Sequence, residues 1–364
     1  MEEARTSTLA STPIVIEDIC ADETWPGGAM RSPSSASSRR FLMTVIKINE
    51  TGTKLKYEPG IVNGGKHLVH DSGVSRSIGY FLEPLIVLGL IIWEETPFNK
   101  AKSGITNDSK DPSVDTFRST TLPILKHFRV PSEGLHLKIE CRGALPHGGG
   151  EVFLSVPTVQ SSLTVITWID EGMVKRSGEL LFQQECLLSL RIPLYMQLEE
   201  FLIACFRMST YLLIIKLELK LESMSPGYGI SLVAETTIGC FIFADTAVSY
   251  ARGDEEGEIE DEEKKELMPP VDVGEQIASI LLGKIERGVV DSTHQGLLFI
   301  LCALCPQDVS KVRVGKLSPY GIETPRNIRD FLGVKFVIKP DPSTGTVILK
   351  CVGCGLTNLS RKAS

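Results

Sequence analysis

Three consecutive glycines, Gly148, Gly149 and Gly150, stand inside "CRGALPHGGGEVFLSV" (141–156), directly ahead of an alternating apolar strand. Glycine costs backbone entropy within a sheet, so a run of three needs a reason. The turn is sharp, two backbones approach closely, or an anion rests on bare N–H groups. Any of these makes the segment a strand, a turn and a strand. "LHLKIECRG" reads as the strand before the turn and "EVFLSVP" as the one after it.

The surrounding chain supplies the rest of a helix-covered sheet. "VIKINETGTKLKYEPG" alternates apolar and polar residues around Thr51-Gly52 and reads as a hairpin. "SRSIGYFLEPLIVLGLII" is a long apolar helix with Ser75 near its start. "SVDTFRSTTLPILKHFRV" repeats the helical spacing behind Asp111-Pro112. Towards the C-terminus, "VGEQIASILLGKIERG" is an amphipathic helix ending at Gly288, and "QGLLFILCALC" is a buried one. "KVRVGKL", "VKFVIKP" and "TVILKCVG" are strands, with the helical "IETPRNIRDFLG" between the first two. Strand, helix and strand thus recur in two blocks. The pattern predicts an α/β (α+β) architecture with an internal structural repeat.

Composition narrows the function. The chain has 364 residues, enough for one elaborate domain or two, and its 42% hydrophobic and 23% charged content is that of a soluble globular protein. The whole net charge of −7 resides in 254–266, which holds nine acidic and two basic residues; a solvated loop is expected there. The remainder is neutral, so composition does not demand a nucleic-acid patch. The nine cysteines are scattered and no cationic, apolar leader opens the chain, which predicts reduced thiols inside the cell. Cys302-Ala-Leu-Cys305 and Cys351-Val-Gly-Cys354 form two CxxC pairs. The first lies in a continuous apolar run, where thiols act as small buried side chains rather than zinc ligands. The apolar stretch 194–219 is broken by Glu199, Glu200, Arg207 and Lys216, so no membrane span is expected.

"RGALPHGGGEV" resembles the signature of the RNA 3′-terminal phosphate cyclase superfamily: Arg-Gly, two residues, Pro, one residue, three glycines and an apolar strand. "TGTKLKYEPGIVNGGKHLVHD", "GITNDSKDPSVDTF", "GYGISLVAE" and "FLGVKFVI" follow in the order that family shows. "SRSIGYFLEPL", "NDSKDPSVDTFRSTTLP", "SPGYGISLVAE" and "GKLSPYGIE" are similar to its cyclase-like branch in eukaryotic ribosome assembly, in a plant-like form. The resemblance covers 45–178 and 224–364. It implies repeated units of a four-stranded sheet carrying two helices. It also implies a core domain of 1–176 and 289–364 and a small inserted α/β domain of 177–288 that contains the acidic loop. Residues 31–44 and 179–223 depart from the family pattern, and the resemblance on either side of each implies a shifted reading frame in the gene as the expected cause.

By the same resemblance, true cyclases pass adenylate through a histidine in a Ser-x-His context. Here the triplet is Ser318-Pro319-Tyr320. A neutral imidazole is a nucleophile at physiological pH, whereas a phenol, with pKa of about 10, is mostly protonated, and the neighbouring sequence offers no base. His294, in "DSTHQG", reads as a polar residue of a helix cap. The expectation is therefore a catalytically silent scaffold with no cofactor and no metal. The resemblance places it in the nucleus and nucleolus, in small-subunit ribosome biogenesis. It would support endonucleolytic processing of precursor ribosomal RNA within the processome, beside a ribosome-assembly GTPase.

Two rival readings keep an enzyme. One is an endonuclease using Asp108, Asp111 and Asp115; the other is residual ATP-dependent cyclase activity. Candidates for holding an anion or RNA are Arg76 at a helix start and Arg142, His147 and Gly148 to Gly150 at the glycine turn. Arg326, Arg329 and Asp330, on the helix after Tyr320, complete the set. Each also has a plainer reading as a tight turn, an internal ion pair or a solvated face.

Overall fold

The structure, a computed structural model, describes residues 2–16, 45–48, 54–60, 68–92, 98–108, 111–145, 147–159, 162–184, 214–218, 227–249, 270–285 and 288–356. The Thr51-Gly52 turn, the stretch 31–44, the acidic run 254–266 and residues 185–213 and 219–226 lie outside them. Helix α1 (Glu2–Ala10) is followed by strands β1 (Ile14–Ile16), β2 (Val45–Ile48) and β3 (Leu55–Glu58), which form a small sheet in the order β1-β3-β2.

Next comes a unit of four strands and two helical segments. It runs β4 (Leu68–Asp71), α2 (Ile78–Ile92), β5 (Phe98–Gly104), α3 (Val114–Thr116), a π-helical turn (Phe117–Thr121), α4 (Leu122–His127), β6 (His136–Cys141) and β7 (Gly150–Ser155). Helix α2 is apolar around most of its circumference, and it is buried accordingly: Ile78, Ile86, Val87 and Leu90 have no exposed surface. The π turn ends just before Pro123, which has no N–H to continue the regular ladder.

A second unit repeats the plan. It consists of β8 (Thr167–Trp168) and, further along the chain, α6 (Gln295–Leu304), β13 (Val309–Val314), α7 (Pro319–Leu332), β14 (Phe336–Asp341) and β15 (Thr346–Val352). Between β8 and α6 lie β9 (Val174–Gln184), β10 (Ile214–Glu218), β11 (Gly227–Thr236), β12 (Phe241–Ser249) and α5 (Pro270–Ile285), with a sheet ordered β10-β9-β11-β12.

The two units share one topology. The first sheet is ordered β4-β5-β7-β6 and the second β8-β13-β15-β14. In each, the first pair is parallel and the remaining pairs are antiparallel. The repeat expected from the block order is therefore present as topology. One apolar cluster joins α2, α4, α6 and both sheets; a second, separate cluster lies between α5 and strands β11 and β12.

The α/β class agrees with the sequence reading, but two elements differ from it. Helix α1 was not expected, because its buried face is mostly polar: Thr6, Ser7 and Thr8 are buried beside Leu9, and Thr8 shares a hydrogen bond with Tyr57. Within 179–223, which shows no clean alternation, the end of β9 and all of β10 are strands, paired in parallel. Among the described residues no helix is long and apolar enough to cross a membrane.

Candidate functional site

The glycine turn owes its composition to close backbone approach. Gly148 and Gly149 adopt φ of 69° and 85°, the left-handed region. A Cβ on Gly148 would stand 2.7 Å from the Ser103 carbonyl oxygen, and one on Gly150 would stand 2.7 Å from that of Gly104. Gly143 is tighter still, 2.1 Å from the same Gly104 oxygen. The N–H of Gly148 donates to Ala144 O at 2.8 Å, and that of Thr106 donates to Gly143 O at 2.9 Å. The end of β5 is thus clamped between the two arms of the β6–β7 turn. His147 sits at the exposed tip.

Two arginines beside this clamp each hold a carboxylate of the protein. Arg142 is buried and forks onto Asp115, with Nη1 at 2.7 Å and Nη2 at 3.2 Å; Nη1 also reaches Asn107 Oδ1 at 3.1 Å. Arg118 adds a bond to Asp115 at 3.1 Å. Burial opposes the Asp115 charge, but these cations outweigh it and lower the pKa. Arg76 is half-exposed. It forks onto Asp111 at 3.0 and 2.5 Å and lies 3.9 Å over the ring of Tyr80. The same carboxylate accepts the Ser77 N–H at 3.0 Å, at the start of α2. Ser77, rather than Ser75, caps that helix, its Oγ accepting from Gly79 N. The anion at this helix start is therefore Asp111 itself.

Tyr320 belongs to the same neighbourhood. Ser318 caps α7 by accepting from Gly321 N at 3.0 Å, and Gln295 Oε1 fixes Ser318 through its N–H at 3.0 Å. The Tyr320 ring lies flush on Gly296, where a Cβ would come within 2.1 Å of it. Its hydroxyl donates to Glu83 Oε1 of α2 at 2.6 Å. The local sequence offers no base, yet the fold brings a carboxylate from 237 residues away. That carboxylate is one turn beyond Gly79, on whose Cα the Pro112 carbonyl closes. Tyr320 and the glycine clamp thus meet opposite ends of one short stretch of α2.

A second buried ionic group adjoins the first. His294 is the N-cap residue of α6, in keeping with the cap reading, and it is buried: its Nδ1 contacts Asp291 at 2.9 Å, and its Nε2 contacts Thr121 at 3.0 Å. Burial works against the Asp291 carboxylate, but the charge and hydrogen bonds of His294 prevail and hold its pKa at about 2. Lys284 of α5 donates to Phe243 O at 2.9 Å, and Phe243 N donates to Asp291 at 3.4 Å. Asp245, on the same strand, is pushed up to about 6 by burial and by the nearby Asp115 and Asp291 charges, although Ser113 and Lys284 oppose the rise.

The remaining candidates are placed as follows. Arg326 pairs with Glu323 at 2.7 Å, and Arg329 with Asp330 at 2.7 Å, on the exposed face of α7. Asp111 and Asp115 face different arginines, while Asp108 lies half-buried. The thiols of Cys302, Cys305 and Cys351 are buried, and burial pushes Cys305 up to about 12. Glu83, Asp245, Lys284 and Asp291 were not singled out by sequence reading. Only Asp291 left a signal, as the Asp of a turn that accepts from Thr293 N at 2.9 Å just before α6.

Comparison with known proteins shows the family. The model of the RNA 3′-terminal phosphate cyclase family matches residues 4–338. This chain belongs to that family. It is 55% identical to an RNA 3′-terminal phosphate cyclase-like protein of Arabidopsis thaliana over 98% of this chain and 95% of the relative. The cyclase-like protein of Homo sapiens is 37% identical over 98% and 93%. A Schizosaccharomyces pombe relative, named rRNA processing protein rcl1, is 32% identical over 98% and 94%.

Proposed function

We propose that this member of the cyclase family is a catalytically silent scaffold in ribosomal RNA processing. The observation that carries the reading is Tyr320. A phenol, hydrogen-bonded to Glu83 and flush against Gly296, occupies the position where the family signature puts a nucleophilic histidine. A phenol held by one carboxylate keeps its proton at neutral pH, so adenylate has no imidazole to receive it. The similarity to a relative named as an rRNA processing protein supplies the process.

The finer reading is that the chain acts in the nucleolus on the small-subunit precursor, alongside a ribosome-assembly GTPase and other processome components. It takes 1–176 and 289–364 as the core and 177–288 as an inserted domain. The second apolar cluster supports that division, since its nine buried members fall between Ile230 and Leu281. In this reading Arg76 at the start of α2, His147 at the glycine turn, and Arg326 and Arg329 on α7 face RNA phosphates, whereas Arg142 holds Asp115 and Asn107 beside the clamp.

The test combines two measurements on the full chain. Purified protein incubated with α-phosphate-labelled ATP and RNA ending in a 3′-phosphate should acquire no covalent label and form no cyclic end. Depletion in cells of the source organism should accumulate unprocessed small-subunit precursor RNA, and a Tyr320→Phe copy should restore processing. Covalent nucleotide on the wild-type protein, lost in the Tyr320→Phe copy, overturns the reading.

A further inference from the structure

From the second four-stranded sheet, we infer that its outward face is a docking surface for the phosphate backbone of single-stranded RNA. Burial alternates along β13: Ser310, Val312 and Val314 point into the core, while Val309, Lys311 and Arg313 point out. Register carries that face across the sheet. Lys311 lies opposite Lys350 of β15, which lies opposite Val337 of β14. Arg313 lies opposite Ile348, and Ile348 opposite Lys339. Lys335 precedes β14 in the same phase and is exposed.

Five cations therefore share one face of a sheet whose other face is core along β13 and β15, while on the edge strand β14 Ile338 of that other face is exposed as well. Asp341, 3.5 Å from Arg313, is the acid on its strands. Among the described residues, none of Lys311, Lys335, Lys339 and Lys350 is in an ion pair. Two like charges directly opposite across an antiparallel pair destabilise the sheet, so the Lys311–Lys350 pair is a cost that folding alone does not explain. A polyanion laid across the strands removes it. Val309, Val337 and Val352, each at least 50% exposed, lie between or beside the cations.

The proposed role in RNA processing names the polyanion. Arginine forks suit carboxylate and phosphate alike, whereas four of these five cations are lysines, point charges that follow a phosphate chain without demanding bidentate geometry. No aromatic ring lies among these outward positions on which a base could stack, so the contact is to the backbone and independent of sequence. The inference deepens the proposed role in RNA processing and rests on it for the identity of the RNA.

The test measures binding of labelled oligouridylate and oligoadenylate to the full chain by fluorescence anisotropy as salt is raised. Both should bind alike, with affinity falling steeply with salt. Lys311→Gln together with Lys350→Gln should weaken binding about tenfold and flatten the log–log salt slope by about 1.4, roughly 0.7 per lost phosphate contact. The same variant should melt no lower than wild type, because a repulsive pair is gone, while Lys311→Arg with Lys350→Arg should keep the slope. Lys339→Gln, at the sheet edge, gives a one-contact step that does not touch the central pair. Unchanged slopes in folded Gln variants overturn the inference, as does tighter binding of polyglutamate than of either RNA. A failure here with precursor processing still dependent on the protein defeats this surface alone; oligonucleotide binding without any processing defect defeats the proposed function alone.

Discussion

In the first unit the β6–β7 turn presses Gly148 against the Ser103 carbonyl, whereas in the second the β14–β15 turn leaves Gly345, also left-handed at φ of 67°, with nothing within 4 Å. The helix caps that follow the second strand of each unit show the same contrast. Ser113 accepts from Thr116 N and Ser318 from Gly321 N, three residues on in both. Two positions after each cap stand Asp115 and Tyr320. Asp115 is sealed between Arg142 and Arg118, and Tyr320 reaches across to Glu83 of the other unit. Their outward faces differ as well. On β6 and β7, Lys138 has Glu140 at 3.8 Å and faces Phe153, while on β13 and β15 lysine faces lysine. One topology thus carries a polar network turned inward in one copy and a charged surface turned outward in the other.

The largest effect should come from breaking the inward network. Asp115→Ala leaves Arg142 buried without its carboxylate and should cost about 3–5 kcal/mol in denaturant unfolding. An equal cost from Asp330→Ala, on the exposed face of α7, would erase the distinction between buried and surface pairs. Next, Gly148→Ala should lose about 2 kcal/mol and Gly345→Ala about 1 kcal/mol, both from positive φ but only the first from crowding. Equal losses would show that the clamp yields.

Asp245 offers a pH-resolved test of the junction. Its folded pKa is raised from 3.8 to about 6, so folding favours the protonated form: the contribution is complete below about pH 4 and is lost as pH rises through 6. Asp245→Asn should therefore raise stability at pH 7 by about 1–2 kcal/mol, a moderate gain because the side chain is only half-buried, and change nothing at pH 4. A thermal melt at the two pH values decides it. The smallest expected effect is Lys138→Gln, which should leave both stability and the salt slope of RNA binding within error, in contrast to the Lys311 and Lys350 change.

Much of this was legible in the residues. The glycine run announced a sharp or crowded turn, and the alternation of "LHLKIECRG" and "EVFLSVP" placed a strand on each side of it. Asp111-Pro112 marked the helix entrance that Ser113 caps, whereas Ser318 was read only as part of the Ser-x-His match and its capping role came from the structure. Glu83 was not, since it stands in the middle of an apolar helix with nothing local to mark it. Helix α1 escaped notice because Leu9 is its one large apolar side chain in the core, and the other buried ones, Thr6, Ser7 and Thr8, carry no apolar period.

Periodicity and glycine spacing, being properties of consecutive residues, determined the α/β class, the doubled strand–helix order and the site of the clamp. Which carboxylate each arginine holds, that Tyr320 meets Glu83, and that five cations share one sheet face were decided only when strands far apart in the chain took their register. Side chains alternate every residue along a strand, but their neighbours across it depend on which strand arrives and in what phase. Local sequence contains the first and is silent on the second.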